Sequence, residues 1–338
     1  MRLKNQLFLS FLLSSLLMMP VGGIHSQPVH VSHQATAEFA TIPADYITQA
    51  KNTYRIFYGH SSHGAQLVQG MGMLLAENPL YAYNNGAGTL ALTEYAGDLG
   101  SWGDTSWVPV TRQQLDNPEN DFNMVIWAWC GGVANNNEAG INVYLNAMTQ
   151  LEQTYPAVTF VYMTGPLDRW APVTVRRNNQ FIRDYCLAND KVLYDFADIE
   201  SYDPEGVYYP DETDSCGWCY EWCAVHECPG CPSCAHSHCF NCYQKGKAFW
   251  WMLATLAGWN DTTGCCTGLT GNVDCSEDEN PDISDISRLI DHLYISRRAL
   301  CCLAEADCDT SGGPPDISDI TALINLLYIS HESLPACP

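Results

Sequence analysis

The stretch Tyr54-Arg-Ile-Phe-Tyr58-Gly59-His60-Ser61-Ser62-His63-Gly64 decides the fold class. Its first half, Tyr54 to Tyr58, is a short apolar run of the kind that forms a buried strand. Its second half is a turn rich in glycine and serine. Leu67, Met71, Leu74 and Leu75 follow at spacings of three and four, which is one face of a helix. Working outward, Met124 to Trp129, Val158 to Met163 and Val192 to Phe196 are runs of the same character. Ile141, Leu145, Met148 and Leu151 place a second apolar stripe between two of them. Strand and helix in alternation predict an α/β domain with a mostly parallel sheet. A last helix is predicted over about Gln244 to Leu256, with Gly258 as its C-cap.

The chain is long enough for two domains at 338 residues. Acidic residues outnumber basic ones by 38 to 15, for a net charge of −23. That balance argues against nucleic acid or an anionic membrane surface as a partner, because both need cationic patches. Arg2 and Lys4 precede an apolar stretch from Leu7 to Met19 and a small-residue region around Gly22 to Ser26. Together they read as a signal peptide over residues 1–27, with an uncleaved anchor as the alternative. No membrane span is expected after cleavage, and the chain is expected to be secreted or held at the cell surface. Seventeen cysteines suit an oxidising compartment, and the odd count leaves at least one without a partner in the chain.

A serine on a strand-to-helix turn is well placed as a nucleophile, since helix-start amides can face an oxyanion. It is equally well placed as a simple N-cap. Three later blocks favour chemistry. Gly97-Asp-Leu-Gly100-Ser-Trp-Gly103-Asp104-Thr105 lets backbone approach a substrate. The second strand ends in Cys130-Gly131-Gly132, ahead of Asn135, Asn136 and Asn137. Cys234-Ala-His236-Ser-His238-Cys-Phe-Asn241 stands before the last helix, with Gly246 beyond.

This ordered set, from about Thr53 to Trp259, resembles the SGNH/GDSL hydrolases, closest to a divergent branch with a GHS-type first block. The resemblance implies a flavodoxin-like, three-layer domain over residues 28–260. It implies Ser61 as nucleophile, with Ser62 as its rival, and Gly103 or Gly100 with Asn135 as oxyanion donors. His238 would be the base, with His236 as the alternative. Ala235 stands where the family's DxxH pattern has aspartate, so the acid comes from elsewhere (Asp214 and Asp211 are near in sequence) or the site is a dyad. An acyl ester, of a carbohydrate or otherwise, would be the substrate. The alternative is a non-catalytic domain of this fold that binds glycan or protein. Trp102 and Trp107, beside the glycine loop, are expected to be the tryptophans nearest a substrate.

Within residues 211–242, Cys216, Cys219, Cys223, Cys228, Cys231, Cys234, Cys239 and Cys242 crowd an irregular insert. Recurrent CxxC spacing also suits zinc, with His236 or His238 as a further ligand. Disulfides are the preferred reading outside the cell, and pairing between non-adjacent cysteines is expected.

Beyond a linker at 261–264 the chain repeats itself. Asp282-Ile-Ser-Asp285-Ile recurs 34 residues later as Asp316-Ile-Ser-Asp319-Ile, and Leu289, Ile290 and Tyr294 recur as Leu323, Ile324 and Tyr328. Each copy places oxygen-bearing side chains on alternating loop positions ahead of a helix, as a hard calcium ion requires. The tail, 261–338, resembles dockerin type I repeats, a relative of the EF-hand. That resemblance implies Asn272, Asp274, Ser276, Asp282 and Asp285 as calcium ligands in the first loop. It implies Asp307, Asp309, Ser311, Asp316 and Asp319 in the second. It also implies docking onto a cohesin-like scaffold or cell-surface protein. Both loops are longer than the family's pattern, and several cysteines are foreign to it.

Overall fold

The computed structural model describes residues 29–259, 266, 268–276, 280–295, 300, 302–311 and 315–337. The expected signal peptide and linker lie outside them. Six strands form one sheet: β1 His30–Val31, β2 Arg55–His60, β3 Ala91–Ala96, β4 Met124–Trp127, β5 Thr159–Met163 and β6 Val192–Tyr194. Every pairing is parallel, in the order β1-β6-β5-β4-β2-β3. Four of these strands match the apolar runs. β1 and β3 have no such run, for a physical reason. They are the two edges; β1 is two residues long, and β3 buries Leu92 alone among exposed neighbours.

Set β1 aside, and the order β3-β2-β4-β5-β6 is the flavodoxin-like arrangement that the resemblance implies. It reverses at β2, which has its successor β3 on one side and β4 on the other. In such sheets the crevice beyond the strands' carboxyl ends at the reversal is where ligands bind. The Gly59–Gly64 turn and Cys130 both follow strands that meet there.

The helices of this domain are α1 Gln34–Glu38, α2 Ala44–Thr53, α3 Ala65–Glu77, α4 Trp107–Asp116, α5 Glu138–Thr154, α6 Pro172–Ala188, α7 Phe196–Ser201, α8 Gly217–Cys223 and α9 Cys239–Leu256. α3 and α9 pack on each other, and α1 and α2 join them. The crossing is backbone to backbone: a Cβ added at Gly70 would lie 1.8 Å from the Cys242 carbonyl oxygen, and one at Gly246 would lie 2.4 Å from the Gly70 backbone. α5 and α6 pack together elsewhere. Tyr162 of β5 meets Tyr144 and Tyr185 of these two helices, whereas the Tyr194 hydroxyl on β6 donates to the Lys245 carbonyl of α9 at 2.7 Å. Tyr162 registers with Leu193 and Met163 with Tyr194, so Tyr162 and Tyr194 face opposite sides of the sheet. The helices therefore cover both faces, making three layers.

All eight cysteines of the insert are bridged: Cys216–Cys219, Cys223–Cys228, Cys231–Cys239 and Cys234–Cys242. Two of these, Cys231–Cys239 and Cys234–Cys242, are the non-adjacent pairs expected, while Cys223–Cys228 joins neighbours in the series. Cys216–Cys219 corrects that expectation. It is a CxxC bridge made at the start of α8, where Cys216 takes the left-handed conformation at φ 56°.

The tail has its own core of Val273, Ile286, Leu289, Ala306, Ile320 and Leu323. It contains α10 Ile283–Ile290, α11 Leu303–Ala306 and α12 Ile317–Ile324. A Cys266–Cys337 disulfide ties its two ends, and Cys275 and Cys302 are also disulfide-bonded. Among the described residues, no helix is long and apolar enough to cross a membrane.

Candidate active site

The end of β2 and the turn after it hold four consecutive polar side chains, of which Ser62 and His63 share Cys130 as a neighbour. His60 Nε2 meets Glu94 at 2.9 Å on the neighbouring strand. Ser61 Oγ donates to Asp98, just beyond β3. Ser62 Oγ lies 2.9 Å from His236 Nε2 and 3.4 Å from Cys130 Sγ. His63 places Nδ1 3.1 Å from Cys130 Sγ and Nε2 3.1 Å from Asp214 Oδ2. His63 and His236 stack, with centroids 4.3 Å apart and planes 9° from parallel.

Of the two candidate serines, Ser62 is the one that meets an imidazole. Of the two candidate histidines, that imidazole belongs to His236. His238 is placed otherwise: it caps α9, its Nδ1 accepting from the Phe240 amide at 3.1 Å, with its ring edge-on to Tyr220. Burial lowers its basicity. The two histidines stand two residues apart, and the second takes the cap of α9.

The loop bearing His236 is fixed from several sides. Cys234 is bridged to Cys242 of α9. Gln66 of α3 donates to the Ala235 carbonyl at 2.5 Å. Asn241 donates to the Ser237 hydroxyl at 2.7 Å. His236 itself stands at φ 61°, a left-handed conformation uncommon for a non-glycine residue, though histidine is among those that adopt it. Gln66 is held in turn by buried Lys245, whose Nζ donates to it and to Glu200 at 2.6 Å. Burial brings the Lys245 ammonium down to about 8, with Glu200 opposing the fall. Glu200 also accepts from the Leu167 amide at 2.7 Å. The acidic stretch at the end of β6 is thus internal framework. Glu200 serves this network, and Asp195 is buried against Arg183 and His30.

Two of the expected oxyanion donors, Gly103 and Asn135, are occupied. The Gly103 amide donates to Asn136 Oδ1 at 2.7 Å, and the Asn136 amide group donates to the Gly100 and Gly132 carbonyls at 3.1 and 2.7 Å. Asn135 Nδ2 reaches only the Gly131 carbonyl, at 3.3 Å. The asparagine that joins the glycine loop to the end of β4 is therefore Asn136, and it serves as a brace. Trp107 is also corrected. It is buried, donating to the Asp104 carbonyl at 3.1 Å and packing on Trp127 and Tyr144. Trp102 is 79 % exposed, as is Trp170 at 81 %.

Electrostatics divides the cluster. Burial pulls the His63 imidazole down, but Asp214 and Cys130 outweigh it and raise it to about 9. The hydrogen bond from His63 brings the Cys130 thiol down to about 6 against burial, with help from Ser62 and Ser61. Burial would raise Asp214, but the bond from His63 overrides it and keeps the carboxyl low. His63, Asp214 and His236 offer donor atoms within 4.8 Å of one another. His63 and Asp214 hydrogen-bond each other, and His236 hydrogen-bonds Ser62.

No protein-family model matches this chain, and no curated protein matches it. Among solved structures, a presumptive acylhydrolase from Bacteroides fragilis NCTC 9343 is similar at TM-score 0.30 and 12 % identity, covering 56 % of this chain and 89 % of that one.

Cys130, His63 and Asn136 were not singled out by the sequence as site residues. Cys130 had one visible sign, since an odd cysteine count leaves at least one without a partner in the chain and Cys130 follows directly on a core strand.

In the tail, the two helices start identically. Asp282 caps α10 and Asp316 caps α12, each in a capping box with Asp285 or Asp319. Asp285 accepts from the Asp274 and Asp282 amides at 3.0 and 2.7 Å; Asp319 accepts from those of Asp309 and Asp316 at 3.2 and 2.8 Å. Carboxylates of Asp307, Asp309 and Asp319 converge within 4.8 Å. Asp282 and Asp316 spend an oxygen on the Ser284 and Ser318 amides, so they act as caps. In the first loop, Asn272 Oδ1 accepts from the Ser276 amide at 2.9 Å. In the second, the Ser311 amide donates to Asp309 at 2.9 Å.

Proposed function

We propose that the α/β domain hydrolyses acyl esters, with Ser62 as nucleophile and His236 as base. The supporting observation is the 2.9 Å contact between Ser62 Oγ and His236 Nε2, made across 174 residues at the reversal of the strand order. With its proton on Nδ1, His236 takes the Ser62 proton as Oγ attacks the acyl carbon. The C–O bond of the ester breaks, and His236 returns the proton to the leaving alkoxide. Water, deprotonated by His236, then attacks the acyl group now on Ser62; the Oγ–acyl bond breaks, the acid leaves, and His236 returns the proton to Ser62 Oγ. Asp214 bonds His63 rather than His236, so this pair acts as a dyad.

Hydrolysis of p-nitrophenyl acetate by the full chain tests this reading. Ser62→Ala and His236→Ala should each lower kcat by roughly 10²–10⁴-fold, in the range that general-base and nucleophile losses produce. Ser61→Ala and His238→Ala should keep most of the activity. Equal inactivity of all forms, wild type included, would instead favour a binding domain.

The tail, in the same reading, is a calcium-binding docking module of a secreted protein. Asp307, Asp309 and Asp319 supply converging hard oxygens. Ile283, Tyr294 and Ile295 in one repeat, and Ile317, Tyr328 and Ile329 in the other, are exposed at matching positions that a cohesin-like partner would cover. The disulfides support an extracellular setting.

A further inference from the structure

Among the described residues three cysteines are unpaired, and they differ in kind. Cys186 and Cys308 are buried, and burial pushes both thiols far from ionisation. Cys130 is partly exposed at the carboxyl end of β4, in the crevice of the candidate site. Its sulfur faces one nitrogen of His63 at 3.1 Å, and the other nitrogen faces the Asp214 carboxylate at 3.1 Å. Thiol, imidazole and carboxylate come from three separate segments and stand in line. That is how a nucleophile, its base and the base's orienting group are recognised.

We propose that Cys130, His63 and Asp214 form a second acyl-transfer centre beside Ser62, one that takes the acyl group of activated donors such as thioesters. The Cys130 thiolate attacks the acyl carbon and an S–C bond forms. The bond to the leaving sulfur or oxygen breaks, and the His63 imidazolium gives that atom its Nδ1 proton. The acyl group is then a thioester on Cys130, with His63 neutral. Water, deprotonated by His63, attacks it; the C–S bond breaks, the acid leaves, and the thiolate–imidazolium pair is restored. Asp214 holds the ring throughout. The ionisation of the resting pair agrees with this, the thiol lying low and the imidazole high. Ser62 has one hydroxyl proton to share between His236 and Cys130, so the two centres are neighbours but separate nucleophiles.

Release of thiophenol from phenyl thioacetate by the full chain tests the proposal apart from the Ser62 reading. Ser62→Ala should still release thiophenol, and adding Cys130→Ala should cut that release tenfold or more. Equal rates in the single and double variants would overturn the proposal, whatever p-nitrophenyl acetate shows. A second measurement needs no folding-sensitive variant. Iodoacetamide alkylation of Cys130 in the native wild type, followed against pH, should have its midpoint near 6. The groups facing the thiol are His63, with Asp214 and His236 behind it, while Glu200 acts on His63 and Arg169 on Asp214. A midpoint at the ordinary thiol value of about 8.5 would also overturn the proposal.

Discussion

His63 and His236 lie ring on ring, 4.3 Å apart, yet they serve different neighbours: His236 turns to Ser62, and His63 spans Cys130 and Asp214. The insert supplies both His236 and Asp214, so a cross-linked loop with little regular structure completes a site begun by β2 and β4.

The His63–Asp214 pair has a pH signature. The His63 imidazole is raised from an ordinary 6.5 to about 9 on folding. Its stabilising contribution is therefore fully present below about 6.5 and is lost as pH rises through about 9. Asp214→Asn should lower the Tm clearly at pH 6 and much less at pH 9.5, as measured by calorimetry. A Tm loss independent of pH would contradict the pairing.

Gly70 allows α3, the helix that follows Ser62, to touch α9. A methyl group there meets backbone, the Cys242 carbonyl at 1.8 Å, and backbone cannot rotate away. Gly70→Ala should cost about 1–3 kcal/mol, the usual cost of overpacking. Denaturant unfolding would show it as a lower midpoint, whereas an unchanged midpoint would mean the helices are not in contact at this point.

The Cys234–Cys242 bridge should matter to catalysis, and Cys216–Cys219 much less. Removing the first by a double change to alanine should cost about 2–4 kcal/mol of stability. It should also lower esterase kcat by roughly 10- to 100-fold, because the loop that carries His236 loosens. Removing Cys216–Cys219 should leave kcat little changed. Equal effects from the two would mean the bridges act only on global stability.

Calcium should stabilise the tail by mass action, about 2.7 kcal/mol when the free ion is a hundredfold above Kd. Asp319→Ala should reduce that gain more than Asp316→Ala, because Asp319 is among the converging carboxylates and Asp316 caps α12. Melting curves with calcium and with chelator measure it. Identical curves would contradict calcium binding.

Much of the core of the α/β domain was legible in the sequence. Central strands of a parallel sheet are buried on both faces, so they are apolar throughout, and β2, β4, β5 and β6 stand out. The edges β1 and β3 do not, because one is two residues long and the other exposes most of its side chains. The site was half legible. A serine after the first apolar run and a histidine before the last helix were visible as types. Whether Ser61 or Ser62, His236 or His238, takes part depends on a one- or two-residue register set by the turn and by the cap of α9. Asp214 could not be assigned from the sequence because it reaches the site through a loop whose path is set by disulfides.

The most direct test of the account is where a serine-directed organophosphate attaches. The full chain should be labelled by diisopropyl fluorophosphate and the adduct located by peptide mapping. The expected result is one modified serine, Ser62, with labelling lost in His236→Ala and kept in His238→Ala. Modification of Ser61 instead, or labelling of Ser62 that does not depend on His236, would contradict the Ser62–His236 assignment.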